Sequence, residues 1–230
     1  MKILIIHGQS HEGSTCHIAR QLAEKVGGDL TEFFLPRDFG EFCLGCTTCF
    51  NKGHELCPHY EKLKPITDAI DAADLIILES PVYVYHATGQ MKTLLDHYGY
   101  RWMAHRPVGE MFRKQSVCIA TSAGAGQKST LKDMKDSLYF WGCGKYYQLG
   151  FAVHAISWDT VNDKTRAKID KKTTALAKKI NKRQGHVKPG FKTKAFFNIA
   201  RILHKKGLMS PADHNYWKEN GWFGKARPWK

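Results

Sequence analysis

Short apolar runs alternate along this chain with stretches in which apolar residues recur every three or four positions. Lys2 to His7 (KILIIH), Asp74 to Ser80 (DLIILES) and Ser116 to Ser122 (SVCIATS) are rich in branched residues, and each runs into a loop of Gly, Pro, Ser or Thr. That is the pattern of strands buried on both faces. Asp29 to Leu35 and Tyr147 to Ala155 are weaker versions, the second interrupted by Gly150, and both are predicted as strands. Between them, Ile18, Leu22 and Val26, then Leu63, Ile66 and Ile70, then Met91, Leu94 and Leu95, then Leu131, Met134 and Leu138 keep helical spacing. Alternating strands and helices predict an open parallel sheet with helices on both faces, because right-handed crossovers place the connecting helices there.

Such sheets bind ligands beyond the carboxyl ends of their strands, and the distinctive loops of this chain all fall there. GQSHEGST, residues 8 to 15, follows the first strand; SPVYVYHATG, residues 80 to 89, the third; TSAGAGQKST, residues 121 to 130, the fourth. In the first loop the hydroxyls of Ser10, Ser14 and Thr15 surround Gly13 at the start of a helix, whose unpaired N–H groups and dipole suit a phosphate. The loop fits neither GxGxxG nor the P-loop. Its other reading is an ordinary helix start, with Ser14 or Thr15 as the cap and Gly13 making the turn.

The second loop, Ser80-Pro-Val-Tyr83 followed by Thr88-Gly-x-Met-Lys-x-Leu-Leu-Asp96, taken with S-x-x-G-S-T in the first, resembles the flavodoxin-like NAD(P)H-dependent FMN reductase and iron-sulfur flavoprotein superfamily over about residues 1 to 155. The resemblance implies an α/β fold, a doubly wound parallel five-stranded sheet of order 2-1-3-4-5. It implies FMN with its phosphate on Ser10, Gly13, Ser14 and Thr15, and its ring against Pro81, Val82 and Tyr83. Thr121, Ser122, Ala123, Gly124 and Gly126 would close over the other edge. The small residues of TSAGAG let backbone N–H groups approach the ring, and Tyr83 offers a flat face, though it also reads as a half-buried core aromatic. Hydride and electron chemistry belong to the cofactor, so no catalytic residue is named. The implied donor is NAD(P)H, the implied acceptor a flavin, a quinone or another small molecule, and the implied assembly a homodimer or homotetramer. His97 stands where many relatives carry Arg, and is expected at a subunit contact.

Cys43, Cys46, Cys49 and Cys57, with Pro58 after the last, form C-x2-C-x2-C-x7-C and hold four of the seven cysteines within fifteen residues. The first three are spaced as in the bacterial ferredoxin run. In the iron-sulfur flavoproteins that the chain resembles, a compact motif of this type holds a [4Fe-4S] cluster beside FMN, fed by a ferredoxin-like partner. Zinc, with His54 and His59 as extra ligands, and free or redox-active thiols are the alternatives. Cys16, Cys118 and Cys143 read as packing residues.

Charge and composition add an appendage to this picture. The net charge of +14 is carried by residues 161 to 230, which hold 19 Lys and Arg against 4 Asp and Glu. The division expected is a flavodoxin-like domain over 1–184, with the Cys-rich loop 43–57, and a basic, aromatic extension over 185–230. In the extension a helix with Phe196, Ile199, Ala200 and Leu203 on its apolar face is expected to pack on the protein or a subunit mate rather than lie on a membrane surface. Basic residues interleaved with Trp also suit nucleic acid, but no recognised motif supports it and no nucleic-acid partner is expected. The segment Tyr100 to Pro107 is expected to line the flavin cleft or a subunit interface. No apolar stretch has the length of a signal core or a membrane span, so a cytoplasmic protein is expected.

Overall fold

The computed structural model describes residues 1–230. Its centre is a parallel sheet of five strands, β1 (Lys2–His7), β2 (Asp29–Phe34), β3 (Leu75–Pro81), β4 (Gln115–Ser122) and β5 (Lys145–Ala152), in the order β2-β1-β3-β4-β5. The order expected from the resemblance is the order found. Registers run evenly, with Ile5 opposite Ile77, Ile77 opposite Val117 and Val117 opposite Tyr147.

The two-residue period of a strand divides the apolar runs between two cores. Leu4, Ile6, Ile76, Leu78, Cys118 and Ala120 face one side, under α3 (Tyr60–Ala72), α4 (Gly89–Asp96) and α5 (Gln127–Phe140), with the single turn α2 (Thr48–Asn51) in the loop after β2. Ile3, Ile5, Leu75, Ile77, Val117 and Ile119 face the other, under α1 (Ser14–Val26) and α6 (Asp163–Arg183). Burial on both faces is why these strands read as unbroken apolar runs. Gly150 does not break β5: a Cβ there would lie 3.1 Å from both Gln127 Cβ and Leu131 Cδ1, so its absence lets α5 close onto the strand.

Beyond α6 the chain forms α7 (Phe191–Lys205) and α8 (Pro211–Glu219), which build a third core on the end of the sheet domain. Phe197, Ala200, Trp217 and Trp222 pack there on Met103 and Phe112. The buried side of α7 is not the one expected. Thr193, Phe197, Ala200 and His204 point inward, and Ile199 is 55% exposed. Phe197 is drawn in by stacking on Trp217 at 4.6 Å, and His204 by stacking on the same ring at 4.5 Å, pairings that a hydrophobicity pattern does not register. No helix is long and apolar enough to cross a membrane.

Candidate functional site

Two clusters of residues gather at the carboxyl end of the sheet: a crevice over β1, β3, β4 and β5, and a cysteine-lined cavity in the loop after β2.

The crevice starts from the first turn of α1. The residue at its N-cap is Gly13, which supplies no side-chain cap. The expected capping by Ser14 or Thr15 is therefore not what forms: both lie inside the helix and are buried. The first intrahelical bond is from the His17 N–H to Gly13 O at 3.2 Å, so the N–H groups of Ser14, Thr15 and Cys16 have no intrahelical acceptor. An uncapped helix start with its positive dipole end open suits an anion.

Around it lies a space of about 210 Å³. Gly13, Ser14 and Thr15 line one side, Pro81, Val82 and Tyr83 the second, and Thr121, Ser122 and Ala123 the third. Nine of the twelve residues expected to hold the flavin thus share one crevice. The other three stand apart. Ser10 turns its hydroxyl to Leu35 O at 3.2 Å, Gly124 is exposed, and Gly126 works from behind. At φ 95° a Cβ on Gly126 would fall 2.5 Å from Val82 Cγ1, so the glycine lets the loops after β3 and β4 touch.

Sequence reading missed Gln9, His11, Val153, Ala155 and Ile156, which also line the space. Gln9 has a role: its Oε1 accepts from the Tyr83 hydroxyl at 3.2 Å and aims that ring. Tyr83 is 46% exposed and belongs to neither hydrophobic core of the sheet, so its ring faces the crevice. Val153 and Ala155 were hidden by the expectation that β5 runs to Ala155. The strand ends at Ala152 because its partner β4 ends at Ser122; Val153 makes one last bond to Ser122 O at 2.9 Å, and the chain then runs along the crevice through Ala155 and Ile156. Tyr83 and His86 pair across a tight turn whose central residues, Val84 and Tyr85, have φ of 48° and 68°. This geometry is costly for a β-branched residue, and it holds Val84 and Tyr85 out at the rim.

Beneath the crevice, at the end of β1, His7 is fully buried. Its Nδ1 bonds Glu79 Oε1 and its Nε2 bonds Glu32 Oε1, each at 2.8 Å. Burial works against a charge on His7, but the Cys16 and Glu79 side chains hold its proton and push its pKa up to about 10. Burial likewise raises the Glu79 carboxyl, with His7 opposing. Both shifts mean that the pair keeps a proton well above neutrality.

The cysteine loop follows β2. Cys43, Cys46, Cys49 and Cys57 all line one small space of about 70 Å³, together with His59, Asp96 and His97. All four are free thiols. Gly45 at φ 64° and Thr47 at φ 57° turn the loop around it. Burial raises the Cys49 thiol first, and the charges of Cys57, Cys43 and Cys46 raise it further. Hydrogen bonding to Thr48 lowers the exposed Cys46.

Cys57, His59 and His97 form the trio of His, Cys, Asp or Glu whose ligand atoms lie within 4.8 Å of one another. No three of the four thiol sulfurs approach that closely, whereas tetrahedral zinc with Zn–S of about 2.3 Å needs sulfurs about 3.8 Å apart. The four thiols therefore share one space without forming a preassembled tetrahedral zinc set. His54 does not line this space but stacks on Tyr100 at 4.7 Å. His97, expected at a subunit contact, is buried here instead. Its Nδ1 donates to Thr93 O at 2.9 Å and its Nε2 meets His59 Nδ1 at 3.0 Å.

Tyr100 to Pro107, expected at the flavin crevice or a subunit interface, does not line the crevice; it is a strap between the cysteine loop and the C-terminal helices. Arg106 donates to the carbonyls of Cys49 and Phe50, and the Phe50 ring packs edge-on to His105 at 4.9 Å. From the other side Trp217 Nε1 donates to His105 O at 2.6 Å and the Tyr216 hydroxyl to Pro107 O at 2.8 Å. Asp213 pairs with His105 at 2.9 Å and Arg106 at 3.3 Å.

Comparisons with known proteins bear on the family and the fold. The profile of the NADPH-dependent FMN reductase family matches residues 1–155. An iron-sulfur flavoprotein of Archaeoglobus fulgidus is 27% identical over 203 residues, covering 86% of this chain and 87% of its own length. Among solved structures, an NAD(P)H:quinone oxidoreductase from Methanothermobacter marburgensis superposes with a TM-score of 0.59 at 15% identity, covering 76% of this chain and 96% of that one. A flavone reductase superposes at 0.61 with 17% identity, covering 83% of this chain and 66% of that one. At such identities the two structural likenesses are likenesses of fold.

Proposed function

Since the chain belongs to the NADPH-dependent FMN reductase family and is an FMN-binding oxidoreductase, we propose that it takes electrons from a reduced nicotinamide and that its four-cysteine loop holds a [4Fe-4S] cluster exchanging electrons with the flavin. FMN, when bound, supplies the hydride and single-electron chemistry. The rest is positioning. The free N–H groups of Ser14, Thr15 and Cys16 hold the phosphate, Pro81 and Val82 border the ring, and Tyr83, aimed by Gln9, stands at its edge. The loop Thr121 to Gly126 brings backbone to the far side. The acceptor is a small molecule such as a quinone or a free flavin, or a ferredoxin-like protein acting through the cluster. An assembly of two or four copies belongs to the same reading.

The observation that supports the cluster is the four thiols, with the first three at the ferredoxin-like spacing, lining one small space. The curated relative's name supports it. The second reading, a plain FMN reductase with a structural cysteine loop, draws on the uncapped helix start and the crevice alone.

An absorption spectrum of protein purified without oxygen, with iron and acid-labile sulfide assayed on the same sample, separates the two. Flavin bands with a bleachable shoulder and about four iron per chain establish the cluster. Flavin bands without iron leave the plain reductase. Reduction by NADPH but not by reduced ferredoxin then identifies the donor.

A further inference from the structure

A second cavity, of about 410 Å³, opens on the other side of the strap, between the link Lys52 to Glu55, helix α3 and helix α8. Its volume is that of a small-molecule site, and no part of the proposed electron path uses it. Arg101 lines it and is 1% exposed. One guanidinium nitrogen, Nη2, reaches Asp71, while Nε and Nη1 have no acceptor. Leaving charged donors without partners in the interior costs several times what an ordinary hydrogen bond contributes, so such a group implies an absent acceptor.

The neighbouring wall is aromatic. The His54 ring lies parallel to that of Tyr100, 4.7 Å away and within 12°. Burial lowers the His54 pKa most, Glu55 opposes it, and Arg101 and Arg106 lower it further. Arg106 is already committed to the Cys49 and Phe50 carbonyls and to Asp213. Lys52 lines the space with no ion-pair partner. Three carboxylates, Asp71, Glu55 and Glu219, line it too, so a multiply charged anion such as phosphate would be repelled. One negative charge carried by a flat ring matches both walls.

We propose that this cavity binds a small aromatic monocarboxylate, with its carboxylate accepting from the unpartnered donors of Arg101 and its ring against Tyr100 and His54. The ligand would touch the link between Cys49 and Cys57 directly, giving the cysteine loop a sensor for such a compound. The site stands whether or not the cysteines carry a cluster.

The test uses the full-length protein and two probes of the same shape, benzoate and neutral benzamide. Both are titrated by calorimetry and by the Arg side-chain ¹⁵Nε–H resonances. Benzoate is expected to shift the Arg101 signal and to bind about tenfold or more tightly than benzamide, as loss of a charge-assisted hydrogen bond implies. The surface variant Lys52→Ala is expected to bind benzoate several-fold more weakly with an unchanged melting curve, and Arg101→Met to abolish the preference for benzoate. No benzoate-induced shift in the Arg101 resonance, or equal affinity for the two probes in the wild type, would overturn the proposal.

Discussion

Thr15 and Thr121 meet hydroxyl to hydroxyl at 2.6 Å, both buried, so the first turn of α1 and the end of β4 are joined directly beneath the crevice. The bond fixes the distance between the phosphate side and the ring-edge side of the site. Thr121→Val, which keeps the shape and removes the hydroxyl, is expected to cost about 1 kcal/mol of stability and to weaken FMN several-fold. Fluorescence titration of the apoprotein with FMN, beside a denaturant melt, reads both. Unchanged FMN affinity would mean that the two loops are held by other contacts.

Gly126 is the second control on the crevice. Because its φ is 95° and a Cβ would fall 2.5 Å from Val82 Cγ1, Gly126→Ala is expected to push Val82 and Tyr83 toward the ring position. Stability should drop by about 1 to 2 kcal/mol and FMN should bind about tenfold more weakly. The same titration checks it, and a variant that binds FMN normally would remove this glycine from the site.

In the cysteine loop, Cys46→Ala is expected to abolish bound iron and sulfide while FMN stays bound, because Cys46 lines the cysteine space and not the crevice. Metal analysis and the flavin spectrum of one sample give both answers. Iron retained at the wild-type level would exclude Cys46 as a ligand.

The strap gives a prediction at a distance. Trp217 is fully buried, stacks on Phe197 and His204, and donates to His105 O. Trp217→Ala should cost about 3 to 5 kcal/mol. It should also loosen the cysteine loop, through His105 and Arg106, before the sheet. Hydrogen exchange of residues 43 to 57 that rises in the variant while β1 and β3 stay protected is the expected result; uniform change across the chain would deny the coupling.

The buried pair under β1 sets the alkaline limit. His7 has its folded pKa raised to about 10 from an ordinary 6.5. The proton it gains on folding therefore stabilises fully below about pH 6.5, and that contribution is lost as pH climbs through about 10. Denaturant unfolding between those limits should show stability falling with pH in the wild type. His7→Asn should be less stable at the lower pH and nearly flat across the range. A wild-type profile without slope would show the pair uncharged.

Much of this was written in the sequence, because the signals were local. The unbroken apolar runs of β1, β3 and β4 and the loops that follow them are read from adjacent residues, and nine of the expected flavin residues do meet. The cysteine spacing was equally plain. What escaped was set by partners far along the chain. Val153 and Ala155 leave β5 because β4 ends first, and His97 is turned inward by His59 and Thr93. The buried face of α7 follows Trp217, twenty residues from Phe197. Ser10 carried the right chemistry at the right spacing, yet Leu35 O takes its hydroxyl, a contact no linear pattern contains.

The strap also ties two distant parts of the chain to one another. Phe50 and the Cys49 carbonyl are gripped by Arg106, and the strap that carries Arg106 is itself braced by Asp213, Tyr216 and Trp217. The C-terminal helices thus act as a splint for a loop far away in sequence, and a change made in α8 is felt by the cysteines although it touches none of them.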